Sequence, residues 1–141
     1  MTAASHLLTP LKQKGYRASK TRTALVDALI AHGSPLAAAA LHTALRKRGV
    51  IADKTTVYRE IGVLVQEKIA REVHFSDNKR RYEIADEHHH HVICIDCDTV
   101  EDVILPDDMA HEEHVISKKT NFTIMHHTVE FYGRCGACTS R

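Results

Sequence analysis

The sequence has no long uninterrupted run of apolar residues. A helix that crosses a bilayer needs about 20 of them, so a membrane protein of that kind is excluded. The N-terminal stretch MTAASHLLTPLKQKGYR also lacks the apolar centre and the cleavage site of a secretory signal peptide. We therefore predict a cytoplasmic protein with no membrane partner.

Cysteine is scarce, with four residues in a chain of 141, arranged as the C-x-x-C pairs Cys94/Cys97 and Cys135/Cys138. In a reducing compartment, two such pairs indicate a metal site before they indicate disulfides. Four thiolates on two turns form a closed tetrahedral zinc site with no open position, which is typical of structural zinc. A redox-active dithiol pair is the alternative.

Signatures of catalysis are also missing. The chain has neither an H-E-x-x-H motif nor an evident activated nucleophile, so we predict no catalytic residues and no enzyme. Two alternatives from other classes are a zinc hydrolase built on the histidine cluster and a zinc-stabilised adapter that binds only protein.

Charge is unevenly distributed, although the net charge of the whole chain is only +1. Residues 1–85 hold 15 Lys and Arg against 7 Asp and Glu, whereas residues 86–141 hold 4 against 11. The acidic part also carries all four cysteines and eight of the twelve histidines. We predict two domains, 1–85 and 86–141, of which the first has the charge expected of a nucleic-acid partner.

Three helices are expected in the basic part. The first begins at the N-cap Ser19 and runs through Ile30, with Leu25, Val26, Leu29 and Ile30 on one face. The second spans 36–48, buries a stripe that includes Ala40 and Leu41, and ends at Gly49. Asp53 caps the third, DKTTVYREIGVLVQEK, and two alternating runs separated by SDNK then predict a hairpin. Together they form a winged helix-turn-helix.

The third helix is suited to reading a major groove. Its outward face is polar and lies near the positive end of the helix dipole, where it can contact phosphates and base edges. The predicted DNA-binding residues are Arg17, Lys54, Thr55, Thr56, Tyr58 and Arg59.

The acidic part is predicted to be α/β. HVICIDC is expected to be a strand that enters a C-x-x-C turn, with TVEDVIL as its returning strand. A polar helix is expected over 107–119, after Pro106, and NFTIMHHTVEFYG is expected to form one long strand that ends at CGAC. The fold class is therefore α+β.

Four consecutive histidines, residues 88–91, precede the first cysteine pair. An affinity tag is an unconvincing explanation, because the run is internal and enters a strand. Successive side chains of an extended segment point to opposite faces, so His89 and His91 should face one way and His88 and His90 the other. Each pair can supply two ligands to a separate metal ion.

Other side chains can complete both pairs. Glu83, which belongs to the basic part, and Asp102, on the returning strand, are candidates to join His89 and His91. His88 and His90 can be completed by His127 or His126 together with His111, Glu112 or Glu113. His32 is a further candidate ligand for the site around His89 and His91.

In these motifs the chain resembles the ferric uptake regulator superfamily over nearly its full length. The matching segments are GYRASKTRTALVDAL, TTVYREIGVL, HHHHVICIDC, HHTVEFYGRC and the paired C-x-x-C. The resemblance implies a homodimeric repressor of metal-homeostasis genes that binds an inverted-repeat operator, with a C-terminal dimerisation domain; assembly into tetramers stays open. It also implies structural Zn²⁺ on the four cysteines and a regulatory divalent metal near the domain hinge.

Carried over to this chain, Tyr58 and Arg59 would contact DNA. The hinge site would comprise Glu83, His89, His91 and Asp102, and a site within the dimerisation domain would comprise His88, His90 and His127.

Three departures from the family pattern affect the choice of metal. His90 stands where the iron branch commonly has Asp, which favours Zn²⁺, Co²⁺ or Ni²⁺ over Fe²⁺ or Mn²⁺. Ser34 stands where a histidine is usual, with His32 two residues upstream, and Ala110 falls near a helical glutamate of the second site. Glu83 in place of Asp argues against the alternative of a peroxide-sensing regulator. Zinc and iron stay the leading candidates for the sensed metal.

Overall fold

The computed structural model describes residues 2–140, and the chain divides into two compact units, 1–86 and 87–141. Both units combine helices with a three-stranded sheet, so the predicted α+β class is confirmed. None of the helices within residues 2–140 is long and apolar enough to cross a membrane.

The N-terminal unit is a helical domain with a small sheet at one side. Its elements are α1 (Ala3–Gln13), α2 (Lys20–His32), β1 (Leu36–Ala37), α3 (Ala38–Lys47), α4 (Lys54–Gln66), β2 (Ala70–His74) and β3 (Arg80–Ile84). The antiparallel sheet has the order β1-β3-β2, and α3, α4 and the β2–β3 hairpin form the winged helix-turn-helix.

Local sequence signals explain where these helices begin and end. The side chain of Ser19 accepts a hydrogen bond from the backbone N–H of Arg22, and that of Asp53 accepts one from Thr56, which caps α2 and α4. Gly33 ends α2 in the left-handed conformation, with φ 73°. The apolar faces meet in one core, whose fully buried members are Leu11, Leu25, Leu41, Leu45, Leu64, Val26 and Val57.

The observed unit differs from the sequence-based prediction in three details. The helix α1 was not predicted; it buries Ala4, Leu8 and Leu11 although Pro10 lies within it. Residues 36–37 form a short strand instead of the first residues of α3, and in this strand Leu36 pairs with Tyr82 of β3. Ile30 and Ala40 are exposed, so the predicted buried stripes were too wide.

An ion pair joins the turn of the wing to β3. Arg81 is buried on β3, and its guanidinium lies 5.2 Å from the ring centre of Phe75. It donates to both carboxylate oxygens of Asp77, at 3.2 and 2.8 Å. These hydrogen bonds hold the pKa of Asp77 below its usual value of 3.8.

We expect Asp77→Ala to destabilise the N-terminal unit by about 1–3 kcal/mol, because it leaves the buried Arg81 without its carboxylate. Since the pKa of Asp77 is depressed on folding, its contribution is present above the unfolded value of 3.8 and is lost as pH falls through the lower folded value. Urea denaturation at neutral pH and at about pH 3 measures both effects.

Asp27→Ala is the matched control, because Asp27 forms no ion pair with any residue that the structure describes. A loss of stability at neutral pH no larger than that of the control contradicts this role of Asp77.

The C-terminal unit is a small sheet with two helices. Its elements are β4 (His90–Cys94), β5 (Val100–Val103), α5 (Ala110–Thr120), β6 (Glu130–Gly133) and α6 (Gly136–Thr139). The sheet has the order β5-β4-β6, with β4 antiparallel to β5 and parallel to β6. None of the residues of α5 is buried, and only a few apolar side chains of the described unit are.

The prediction of one long strand over NFTIMHHTVEFYG is wrong for most of that segment. Only Glu130–Gly133 pairs, with β4, while residues 121–129 form no strand. A strand needs a neighbour to accept its backbone hydrogen bonds, and alternation along the sequence does not show that one is present.

Candidate metal centres and nucleic-acid interface

The four cysteines converge at one end of β4. Cys94 ends the strand, Cys97 follows on the next turn, and Cys135 and Cys138 come after β6, which lies beside β4. The four sulfur atoms lie within 4.8 Å of one another, and Cys97 Sγ is 3.7 Å from Cys135 Sγ. Zinc–sulfur bonds of about 2.3 Å in a tetrahedron require sulfur–sulfur distances of about 3.8 Å. The cysteine cluster therefore has the dimensions of a tetrahedral thiolate site.

The surroundings of the cysteines affect their pKa values unequally. The backbone N–H of Cys135 donates to Cys94 Sγ at 3.3 Å, and this bond, with that from Cys97, lowers the pKa of Cys94 to about 6. Contact with the Thr99 hydroxyl lowers the pKa of Cys97, whereas contact with Cys135 and burial raise that of Cys138. Thiolates are the metal-binding form, so the surroundings shift the titration of Cys94 and Cys97 toward that form before any ion binds.

The four histidines divide into two pairs on opposite sides of the segment that enters β4. The rings of His89 and His91 are 4.7 Å apart between centroids, and those of His88 and His90 are 5.0 Å apart. This is the alternation of an extended backbone.

One pair lies against the returning strand. His91 is directly opposite Asp102 in the β4–β5 register, which brings the carboxylate to the same face. Nε2 of His89 and Nε2 of His91 are 3.1 Å apart, and Asp102 Oδ1 is 3.6 and 3.5 Å from them. These three residues, within the C-terminal unit, form the first histidine cluster.

Two other residues predicted for this site belong to the N-terminal unit. Glu83 is buried on β3, where Arg71 Nε donates to its carboxylate at 2.7 Å. His32 is exposed at the end of α2, and it belongs to no potential metal-ligand group within residues 2–140.

The other pair forms the second histidine cluster, which comprises His88, His90, Asp108 and His127. Nε2 of His88 is 3.1 Å from Nε2 of His127 and 3.0 Å from Asp108 Oδ1. The opposite nitrogen of His127, Nδ1, is 2.5 Å from Glu113 Oε1.

His90 is 2% exposed, and its Nδ1 has no hydrogen-bond partner among the residues that the structure describes. Burial is also the main cause of its lowered pKa, which favours the neutral imidazole that binds metals. A buried imidazole beside two further histidines and a carboxylate is a donor set that fits a divalent cation.

Asp108 was not among the predicted ligands, and several residues predicted as alternatives lie outside the ligand group of the second cluster. His111 and Glu112 are on α5 and are not members of this ligand group in the described chain, and His126 is exposed. The available signal for Asp108 was the acidic pair at 107–108, at the start of the helix predicted over 107–119.

The outward face of α4 presents the predicted DNA-binding side chains. Lys54, Thr55 and Arg59 are exposed, Thr56 is half-buried, and Tyr58 is 55% exposed, whereas Val57 between them is buried. Arg17 is exposed before α2. His42 Nε2 lies 2.8 Å from the carbonyl of Ala52, a contact that spans the α3–α4 turn.

Comparisons with known proteins agree with this architecture. The sequence profile of the Ferric uptake regulator family matches residues 13–132. The peroxide-responsive repressor of Staphylococcus saprophyticus is 28% identical over 134 residues, which are 95% of this chain and 90% of that protein.

Two solved structures show the same fold. The Helicobacter pylori ferric uptake regulator, described as having three functional metal-binding sites, superposes with a TM-score of 0.81 and 26% identity, over 98% of this chain and 95% of the other. The Campylobacter jejuni peroxide stress regulator has a TM-score of 0.71 and 27% identity, over 94% and 98%. With a family profile matched over most of its length, this chain belongs to the ferric uptake regulator family.

Proposed function

We propose that this protein is a metal-dependent, DNA-binding transcriptional repressor of metal-homeostasis genes. The observation that carries the proposal is the first histidine cluster, in which His89, His91 and Asp102 converge at the start of the C-terminal unit. The cluster follows directly in sequence after the basic winged-helix unit. An ion bound there can therefore influence the position of the winged helix.

In this proposal Glu83 adds a fourth ligand from the N-terminal unit. It stands three residues before Asp86, where that unit ends. Because its carboxylate and the other three ligands belong to different units, an ion held by all four binds one arrangement of the units better than any other. A ligand with such differential affinity shifts the population toward that arrangement.

The structural site is assigned to Zn²⁺ held by Cys94, Cys97, Cys135 and Cys138. For the regulatory ion, a donor set of two imidazoles and two carboxylates suits both Zn²⁺ and Fe²⁺, which are the leading candidates, followed by Co²⁺, Ni²⁺ and Mn²⁺. His32 is not required, because the site has four donors without it.

The DNA partner is proposed to be an inverted repeat read by two copies of α4. In a dimer, recognition helices about 34 Å apart match successive major grooves. Lys54, Thr55, Thr56, Tyr58 and Arg59 would contact the groove and its phosphates, and Arg17 would contact the backbone.

A homodimer is supported by the apolar surface of the C-terminal unit. Phe122 and Met125, in the segment 121–129 that forms no strand, are 70% and 85% exposed, and Ile104, Ile116 and Phe131 are exposed as well. Large apolar side chains exposed in this number in a small unit are typical of a surface that a partner covers, so we propose that this unit is the dimerisation domain.

Metal-dependent DNA binding tests the proposal. Sequences are selected from a random DNA pool with the protein loaded with Zn²⁺ and, in a parallel selection, with Fe²⁺, and the affinity for a selected fragment is then measured by fluorescence anisotropy with and without the added ion. We expect tight binding only with one of these ions. Binding that does not respond to any divalent ion would remove the repressor hypothesis, as would failure to select any sequence.

A variant of the recognition helix supplies the matched control. Arg59→Ala should weaken binding to the selected fragment by about 10- to 100-fold with the metal present, because one contact to a base edge or phosphate is removed. Lys68→Ala, a change of an exposed cation beyond the end of α4, should leave the affinity nearly unchanged.

A peroxide-responsive regulator is the second candidate, because the Staphylococcus saprophyticus relative carries that name. The two functions differ in their response to oxidant. Hydrogen peroxide should abolish DNA binding by the iron-loaded form of a peroxide sensor and spare the zinc-loaded form. A sensor of metal supply should retain DNA binding in both forms under the same dose.

A further inference from the structure

We infer that Asp108 is the carboxylate ligand of the second histidine cluster, and that Glu113 is a positioning residue that orients His127. This inference rests on the proposed function, in which the second cluster holds a divalent ion. It assigns to this chain a donor set of three imidazoles and one carboxylate.

The distances favour Asp108 as a direct ligand. Asp108 Oδ1 is 3.0 Å from His88 Nε2, which is itself 3.1 Å from His127 Nε2. Bonds of about 2.0–2.1 Å to a tetrahedral ion place its nitrogen and oxygen donors about 3.3 Å apart. The donor atoms are therefore nearly at coordination spacing before an ion binds.

His90 gives an independent indication that the cluster accepts a ligand. Its ring lies 5.0 Å from that of His88 and 5.5 Å from that of His127, between centroids. Its Nδ1 is buried and has no hydrogen-bond partner among the described residues. An unpartnered buried donor or acceptor is costly, and coordination of a cation by this imidazole would remove that cost.

Glu113 occupies a different position. Its Oε1 accepts from Nδ1 of His127 at 2.5 Å, so it lies on the side of the ring away from His88. A proton held on Nδ1 leaves the lone pair on Nε2, which faces His88 and Asp108. A carboxylate that fixes the tautomer and direction of a ligating histidine in this way raises metal affinity without binding the ion.

With Asp108 as its carboxylate ligand, the second cluster needs no ligand from the helix α5. The helix α5 begins at Ala110, whose methyl group cannot ligate a metal, and Asp108 precedes it by two residues. If Asp108 coordinates the ion, that ion links the connection between β5 and α5 to β4 and to the segment that carries His127.

Cobalt binding to the full-length protein, with zinc on the cysteines, distinguishes the two carboxylates. All variants are made in a His91→Ala background, so that the second cluster is the histidine site that responds. Visible absorption of Co²⁺ reports the coordination geometry, and competition with a chelator reports the affinity.

We expect Asp108→Ala to change the cobalt spectrum and to lower the affinity by more than 100-fold, because a ligand is lost. Glu113→Gln should keep the spectrum and lower the affinity by about 10- to 100-fold, the effect of removing a residue that orients a ligand. Asp107→Ala, the neighbouring exposed carboxylate, should change neither. If Asp108→Ala does not fold, as judged by circular dichroism, Asp108→Asn takes its place.

The inference is overturned if Asp108→Ala behaves like Asp107→Ala, if Glu113→Gln or Glu112→Gln produces the spectral change instead, or if the background protein binds no cobalt at the second cluster. Failure of the proposed function is a separate result. DNA binding that ignores metals, in a protein whose cobalt site depends on Asp108, would remove the repressor and keep this ligand assignment.

Discussion

Cys138→Ser is expected to abolish zinc binding at the cysteine cluster and to unfold the C-terminal unit. That unit has little else to stabilise it: Ile93, Val100 and two of the cysteines are its buried apolar residues among those described, and α5 buries none. A structural zinc site in a small domain contributes about 10–16 kcal/mol of apparent binding free energy, which becomes folding free energy. A serine hydroxyl does not supply the fourth thiolate.

The loss should be confined to one unit. Leu25, Leu41 and Leu64 belong to the separate core of the N-terminal unit, so its helices should still unfold in a cooperative transition. Metal content by mass spectrometry, and hydrogen exchange of β4 and β6 compared with α2 and α4, measure both expectations. Peptides of the C-terminal unit should exchange at the rate of an unfolded chain.

Ala137→Ser is the control for this change, because it introduces the same hydroxyl one residue earlier, at an exposed position outside the cysteine cluster. It should keep the zinc and the protection of β6. A Cys138→Ser protein that retains one zinc ion per cysteine cluster and a protected β6 contradicts the structural role of the metal.

The helix-turn-helix was predictable because its signals are local. Ser19, Gly33 and Asp53 act on the backbone within one turn, and the apolar spacing of α2 and α4 follows directly from the sequence. The first helix escaped prediction since Pro10 lies inside it, although Thr2 caps it and its apolar residues have helical spacing.

The errors concern contacts between distant residues. Leu36 could be recognised as a strand residue only with its partner Tyr82 known, and residues 121–129 alternate in polarity without a neighbouring strand in the chain. At the candidate sites, the alternation of an extended segment predicted how the four histidines divide. The position of Asp108 depends on the path of the connection before α5, which sequence periodicity does not describe.

His89→Ala is expected to remove most of the gain in DNA affinity that the regulatory metal produces. In the proposed mechanism His89 is one of four donors that hold the two units in the DNA-binding arrangement. Moving that equilibrium from 1:99 to 99:1 needs about 5.5 kcal/mol of differential binding, or roughly a 10⁴-fold effect. Losing one donor of four leaves too little differential affinity for such a shift, so the variant should bind DNA about as weakly with metal as without it.

The adjacent residue gives the sharpest comparison, because His88→Ala makes the same chemical change on the opposite side of the segment. Anisotropy titrations of the selected DNA at several free metal concentrations should show that His88→Ala keeps the larger part of the metal response. His114→Ala, which replaces an exposed histidine of α5, should show the same metal response as the unmodified protein. If instead His88→Ala abolished the response while His89→Ala preserved it, the regulatory ion would have to be reassigned to the second cluster, because each substitution removes a donor from only one of the two clusters.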